Sequence, residues 1–174
     1  MELISDWKDL SEKWMHGACA LGTLDGLHRG HKAVIRKAVE YAKERGVPSV
    51  VFTFSNHPRS VVSPEKAPLL IENEEVRRMH LSGMGVDLLF EPVFTKEMAG
   101  TEPKAFLTLL QKYLAPSFVT AGPNYTFGRF GAGRAETLAE EGKNYGFEAE
   151  ICSPVYESGE MISSTGIRKH ILDG

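Results

Sequence analysis

His28 and His31 stand three residues apart, the spacing that places two side chains on the same side of one helical turn. They close the segment Gly22-Thr23-Leu24-Asp25-Gly26-Leu27-His28-Arg29-Gly30-His31, which follows the short apolar run Ala18-Cys19-Ala20-Leu21. Its three glycines allow a tight turn and a close approach of backbone to a ligand. A helix opening at this point offers free N–H groups and the positive end of its dipole, both suited to phosphate. Two imidazoles beside them can donate to a polyphosphate and stabilise charge that develops on it. A Walker A loop needs Gly-Lys-Ser/Thr at its end, and a dinucleotide fingerprint spaces its glycines differently. The segment therefore reads as a nucleotide site without a P-loop. A zinc site made of His28, His31 and His57 is the weaker alternative, because no cysteine or carboxylate cluster accompanies the three.

Three other polar segments stand in similar places. Ser55-Asn56-His57-Pro58-Arg59 follows a run rich in β-branched and aromatic residues, 50–54. Gly122-Pro123-Asn124-Tyr125-Thr126-Phe127-Gly128 follows the strand-like 117–121, and Ile162-Ser163-Ser164-Thr165-Gly166-Ile167-Arg168 opens a last short helix. The elements that must position these groups can be read from periodicity. Val34, Ile35, Ala38, Val39 and Ala42 form a helical stripe that stops at Gly46. Asn73 caps a helix ending at Gly83 or Gly85, and Pro103 opens another that carries Phe106, Leu107, Leu110 and Leu114. A polar helix spans 134–145, and further strands are expected at 86–90 and 147–152. Strand and helix alternate about five times, which predicts an α/β fold: a Rossmann-like open parallel sheet with helices on both faces. Ligands bind such a sheet beyond the carboxyl ends of its strands, where all four polar segments fall. The proline-rich stretch 55–71 shows no period.

Composition narrows the class. The chain has 174 residues, 42% hydrophobic and 25% charged, with a net charge of -3. This suits one globular domain, not a strongly basic nucleic-acid binder. No apolar run approaches ~18 residues, and the N-terminus lacks a signal-peptide layout, so no membrane partner is expected. Cys19 and Cys152 sit in apolar runs and read as buried, reduced thiols, which points to the cytoplasm.

Taken together, the segments resemble motifs of the prokaryotic FAD synthetases. The first resembles G-x-F-D-G-x-H-x-G-H, and Phe54 to Arg59 resembles F-x-P-H-P-R. Gly122 to Gly128 resembles G-x-N/D-F-x-F-G, and Ile162 to Arg168 resembles I-S-S-T-x-I-R. The four occur in family order across residues 18–168; H-x-G-H alone would mark only the wider nucleotidyltransferase superfamily. The resemblance implies the nucleotidylyltransferase fold and transfer of AMP from MgATP to FMN, giving FAD and pyrophosphate. Mg2+ would arrive with ATP, with no metal ligands assigned in the chain. It implies ATP binding by Gly22, Thr23, Leu24, Asp25, Gly26, His28, His31, Ser163, Ser164, Thr165 and Arg168. FMN would lie against Phe54, His57, Pro58, Arg59, Asn124, Tyr125 and Phe127. The catalytic set would be His28, His31, Asn124, Ser164 and Arg168. Leu24, Asn56 and Gly166 depart from the usual Phe, Pro and Arg. Most family members carry a riboflavin kinase domain downstream, where this chain stops at Gly174. The expectation is a single FMN adenylyltransferase domain over 1–174 without that kinase domain, which would act in trans as a domain or separate protein. The alternatives are transfer to another small phosphate, or a flavin-binding module weak in catalysis, for which Gly166 is the one hint.

Overall fold

The computed structural model describes all residues, 1–174. Its strands are β1 (Glu2–Ile4), β2 (Ala18–Leu21), β3 (Ser49–Phe52), β4 (Leu88–Phe90), β5 (Phe118–Ala121), β6 (Thr126–Phe127), β7 (Gly133–Arg134), β8 (Glu148–Ile151), β9 (Tyr156–Glu157) and β10 (Glu160–Met161). Its α-helices are α1 (Arg29–Arg45), α2 (Arg59–Val62), α3 (Glu74–Gly83), α4 (Lys96–Ala99), α5 (Pro103–Tyr113), α6 (Ala135–Glu141) and α7 (Ser164–Asp173). Six strands form one sheet in the order β1-β4-β3-β2-β5-β8, every pair parallel. The chain steps outward from β2 through β3 to β4, then returns to place β5 on the other side of β2. The carboxyl ends of β2 and β5 therefore flank the point where strand order reverses, the place such sheets bind ligands.

Alternation along the strands sorts the core into two layers. Cys19, Leu21, Val50, Phe52, Leu88 and Phe90 pack with Phe106, Leu107 and Leu110 of α5 and Leu138 of α6. Ala18, Ala20, Val51 and Leu89 face the other way, onto Val34, Ile35, Ala38 and Ala42 of α1 and Leu81 of α3. The expected two-faced parallel sheet is thus present.

The sheet has one strand more than the five read from the sequence. β1 holds only three residues, of which Ile4 alone is buried, so its apolar signal is too short to stand out. The expected helix boundaries agree closely at α1, which ends on Gly46 with φ +65, and at α3, where the Asn73 side chain accepts from Val76 N–H at 2.9 Å. The polar helix tightens into a 3-10 turn at Gly142–Tyr145. The aperiodic 55–71 stretch holds only α2 and one 3-10 turn. Two small antiparallel pairs, β6 with β7 and β9 with β10, were not expected.

Candidate active site

The loop after β2 curls back under strain. Leu24 and Leu27 adopt φ of +51 and +29. Left-handed backbone costs a branched residue roughly 1–2 kcal/mol. Both side chains are fully buried in the α1 layer, and burying a leucine contributes about 1.5–3 kcal/mol, which offsets the strain. Leu24 thus braces the loop from inside. Gly26, at φ +81, meets the Ile71 side chain so closely that a Cβ would sit 2.9 Å from it. That position admits only glycine, and it presses the loop onto the segment leading into α3.

Asp25 joins three distant parts of the chain. Its buried carboxylate is paired with the Arg168 guanidinium and accepts from Ile71 N–H at 3.0 Å. Its carbonyl accepts from the Ser164 hydroxyl at 2.8 Å. Arg168 Nε also donates to the Leu69 carbonyl at 2.8 Å. Ser163 caps α7, accepting from Gly166 N–H at 3.1 Å. The start of α7 is therefore moored to the β2 loop, and Asp25 orients that loop. Nε and Nη2 of Arg168 are engaged, whereas Nη1 makes no such bond.

His28 is the N-cap of α1: its Nδ1 accepts from His31 N–H at 3.3 Å. A neutral ring in this role carries its proton on Nε2, which remains a donor. The two imidazoles stack with centroids 3.7 Å apart. Burial lowers the pKa of His28, with the charge of Asp25 working in the opposite direction. Burial, then His28, lowers that of His31 to about 3. His31 Nδ1 is buried without a partner. Burial thus disfavours the charged form of both rings.

The opposite wall is aromatic. Phe54 meets Phe52 and Phe94 edge-on, and Tyr125 stacks on Phe127 at 5.8 Å. Burial pushes the Tyr125 hydroxyl pKa up, keeping it neutral. His57 Nδ1 accepts from Arg59 N–H at 3.1 Å; burial and the nearby Arg168 lower its pKa, against the pull of Asp25.

Both walls enclose one cavity of about 1130 Å³. Gly22, Thr23, Asp25, Ser164, Thr165 and Arg168 line one part of it. Phe54, His57, Pro58, Arg59, Tyr125 and Phe127 line another, with exposed Asn124 also in the wall. The remaining sequence candidates, Leu24, Gly26, His28, His31 and Ser163, are not among the lining residues. No three His, Cys, Asp or Glu side chains converge as a metal site. Several contributors had no motif to announce them. Phe94, Lys96, Met98 and Phe130 line the cavity. Arg77, ion-paired with fully buried Glu91, donates to the Phe54 carbonyl and so fixes the end of β3. The adjacent Arg77 and Arg78 on α3 and the acid directly after the β4 run were the only signals available.

Comparison with known proteins identifies the family. The family described as FAD synthetase matches residues 10–166. A bifunctional riboflavin kinase/FMN adenylyltransferase of Listeria monocytogenes is 32% identical over 97% of this chain and 52% of its own length. The Escherichia coli K12 protein of the same name is 30% identical over 99% of this chain and 56% of its own. The chain thus spans about half the length of these curated relatives. A solved structure from Streptococcus pneumoniae, titled macrolide-efflux protein, superposes with a TM-score of 0.83 at 32% identity, covering 99% of this chain and 57% of that one. No helix here is long and apolar enough to cross a membrane. Motifs, fold and relatives agree: the chain belongs to the FAD synthetase family.

Proposed function

We propose that residues 1–174 transfer AMP from MgATP to FMN, giving FAD and pyrophosphate. The observation that carries this is the single cavity, lined by a phosphate-type loop and helix start as well as by an aromatic wall. Small-ligand pockets run to about 1,000 Å³, so this one has room for two substrates side by side. One oxygen of the FMN phosphate attacks the α-phosphorus of ATP in line. The new P–O bond forms as the bond from the α-phosphorus to the bridging oxygen breaks, and pyrophosphate takes that electron pair. The nucleophile is already an anion, so positioning and charge stabilisation do the catalysis. His28 Nε2–H and His31, at the start of α1 and outside the cavity lining, are assigned to the ATP phosphates. Ser163, Ser164 and Thr165 at the start of α7, with Arg168 Nη1, receive the leaving pyrophosphate. Asn124, exposed in the cavity wall, would contact the phosphates of both FMN and ATP. Mg2+ would be bound by the ATP phosphates and would offset part of their charge. Gly22, Thr23, Leu24 and Gly26 offer backbone to the nucleotide.

Riboflavin phosphorylation, in this reading, is not carried out by residues 1–174. The setting is cytoplasmic. Incubation of this polypeptide with FMN and MgATP, followed by chromatography, should yield FAD and one pyrophosphate per turnover. Absence of FAD would overturn the reading. Riboflavin in place of FMN should give no FMN.

A further inference from the structure

Most aromatic rings in the cavity wall are packed against other rings. Phe52 meets Phe54 and Phe106, Phe106 meets Phe127, and Tyr125 stacks on Phe127. Phe130 also lines the cavity, yet it is 91% exposed, and its one ring contact is the Arg129 guanidinium at 4.9 Å. It is the most open large apolar side chain of the protein, ahead of Leu69 at 75%.

The backbone makes the exposure more pointed. Phe130 has φ +55, a region costly to an aromatic residue, and sits between Gly128 at φ +72 and Gly131 at φ +63. The turn is held firmly. Gly131 N–H donates to the Gly128 carbonyl at 2.9 Å, and Arg129 N–H donates to the Thr101 carbonyl at 2.7 Å. A Cβ on Gly128 would meet the Pro103 nitrogen at 2.8 Å, so the turn rests directly on the start of α5. A fixed, strained turn thus presents an unburied ring at the mouth of a cavity. Folding gains nothing from that ring, and a bound flat ligand would cover it.

We propose that Phe130 is a substrate-contacting residue that covers the outward face of the isoalloxazine ring. The ring system's other face would lie on the aromatic wall of Phe127 and Tyr125. This rests on the FMN reading above and names a specificity element of the same site. The phosphate-type loop lies with Gly22 and Ser164, whereas Phe130 follows directly on the aromatic wall through Phe127, so the flavin and not the adenine is its partner. Stacking of this kind makes the site select a flat aromatic acceptor over a small aliphatic phosphate.

The test is an FMN titration, read by flavin fluorescence, on the parent chain, Phe130→Ala and Phe130→Trp, with steady-state kinetics alongside. Loss of one stacking face should weaken FMN binding about tenfold in Phe130→Ala. The KM for ATP should move less than about twofold and Tm less than about 2 °C, because the ring is exposed in the free protein. Phe130→Trp should restore FMN affinity, and its added indole emission should be quenched as FMN binds. FMN affinity in Phe130→Ala within twofold of the parent overturns the inference. So does an equal loss of FMN and ATP affinity, or a large drop in Tm, because either marks a purely structural role. A parent chain that binds no FMN refutes the functional reading itself, and this inference with it.

Discussion

His31 should make the fold acid-sensitive by a predictable amount. Burial and the stacked His28 lower its pKa from 6.5 to about 3. The folded protein keeps the ring neutral, whereas the unfolded chain takes up a proton below pH 6.5. Stability therefore falls as pH drops through 6.5 and continues to fall toward the folded value. Each pH unit in that window is worth about 1.36 kcal/mol. Between pH 7 and pH 5 the loss from His31 alone is about 2 kcal/mol, or about 4–8 °C in Tm for a domain of this size. His28, also lowered, works in the same direction. The comparison is with His31→Gln, which keeps a polar group near the unpartnered Nδ1 but does not titrate. Urea unfolding of both proteins at pH 7 and pH 5 gives four stabilities. The difference between the two pH values should be about 2 kcal/mol smaller in the variant. Equal differences in the two proteins would show that the folded state holds His31 as readily protonated as the unfolded chain does.

Replacing His28 by Ala should reduce FAD formation about a hundredfold, since one lost contact to developing charge costs about 3 kcal/mol, and should also lower stability by about 1 kcal/mol through the lost cap; stopped assays and thermal melts check both. Glu91→Ala leaves the Arg77 guanidinium buried and unpaired, so urea unfolding should show a loss of about 3–5 kcal/mol, and a loss under about 1 kcal/mol would refute the structural role given to the pair. Gly166 has no positive φ, and a Cβ there would make ordinary contact with Ser163 Oγ at 3.4 Å. Gly166→Arg should therefore gain up to about 1 kcal/mol of helix stability with no loss of turnover, and a fall in both Tm and kcat would show that the glycine is required.

Periodicity read the central strands and the long helices well because each buries a continuous face. Val34, Ile35, Ala38, Val39 and Ala42 announce α1, and all five are buried. The edge strand β1 and the two-residue strands β6, β7, β9 and β10 bury too little to leave a pattern. Motif spacing brought Asp25, Ser164 and Arg168 together across about 140 residues, and the structure joins those three through direct hydrogen bonds. It could not show that Arg168 and Ser164 are also structural ties to Asp25, because one residue type serves both a phosphate and a carboxylate. The segment 94–100 escaped because its contribution depends on where the end of β4 sends it, not on its own residue types. Phe130 escaped because an aromatic in a glycine-rich turn looks the same in sequence whether its ring is packed or open.

Asn56 shows how a departure from a motif can keep its geometry. Beyond the paired ends of β3 and β4, Thr53 N–H still donates to the Phe90 carbonyl and Ser55 N–H to the Pro92 carbonyl, both at 3.1 Å. The next step would need a backbone pair, but the chain is already turning toward His57. The Asn56 side chain supplies it instead: Nδ2 donates to the Phe94 carbonyl at 3.1 Å, and Phe94 N–H donates to Oδ1 at 2.7 Å. One amide side chain thus extends the ladder past the sheet and fixes Phe94, just ahead of Lys96 and Met98 in the cavity rim. The proline usual at this place in the family motif has no side-chain donor or acceptor for such a pair. It would stiffen the 56–58 backbone by restricting its torsions, whereas asparagine holds that backbone through a neighbour. Two unlike residues can thereby present the same His57-Pro58-Arg59 wall, so the departure at 56 does not count against the proposed flavin site.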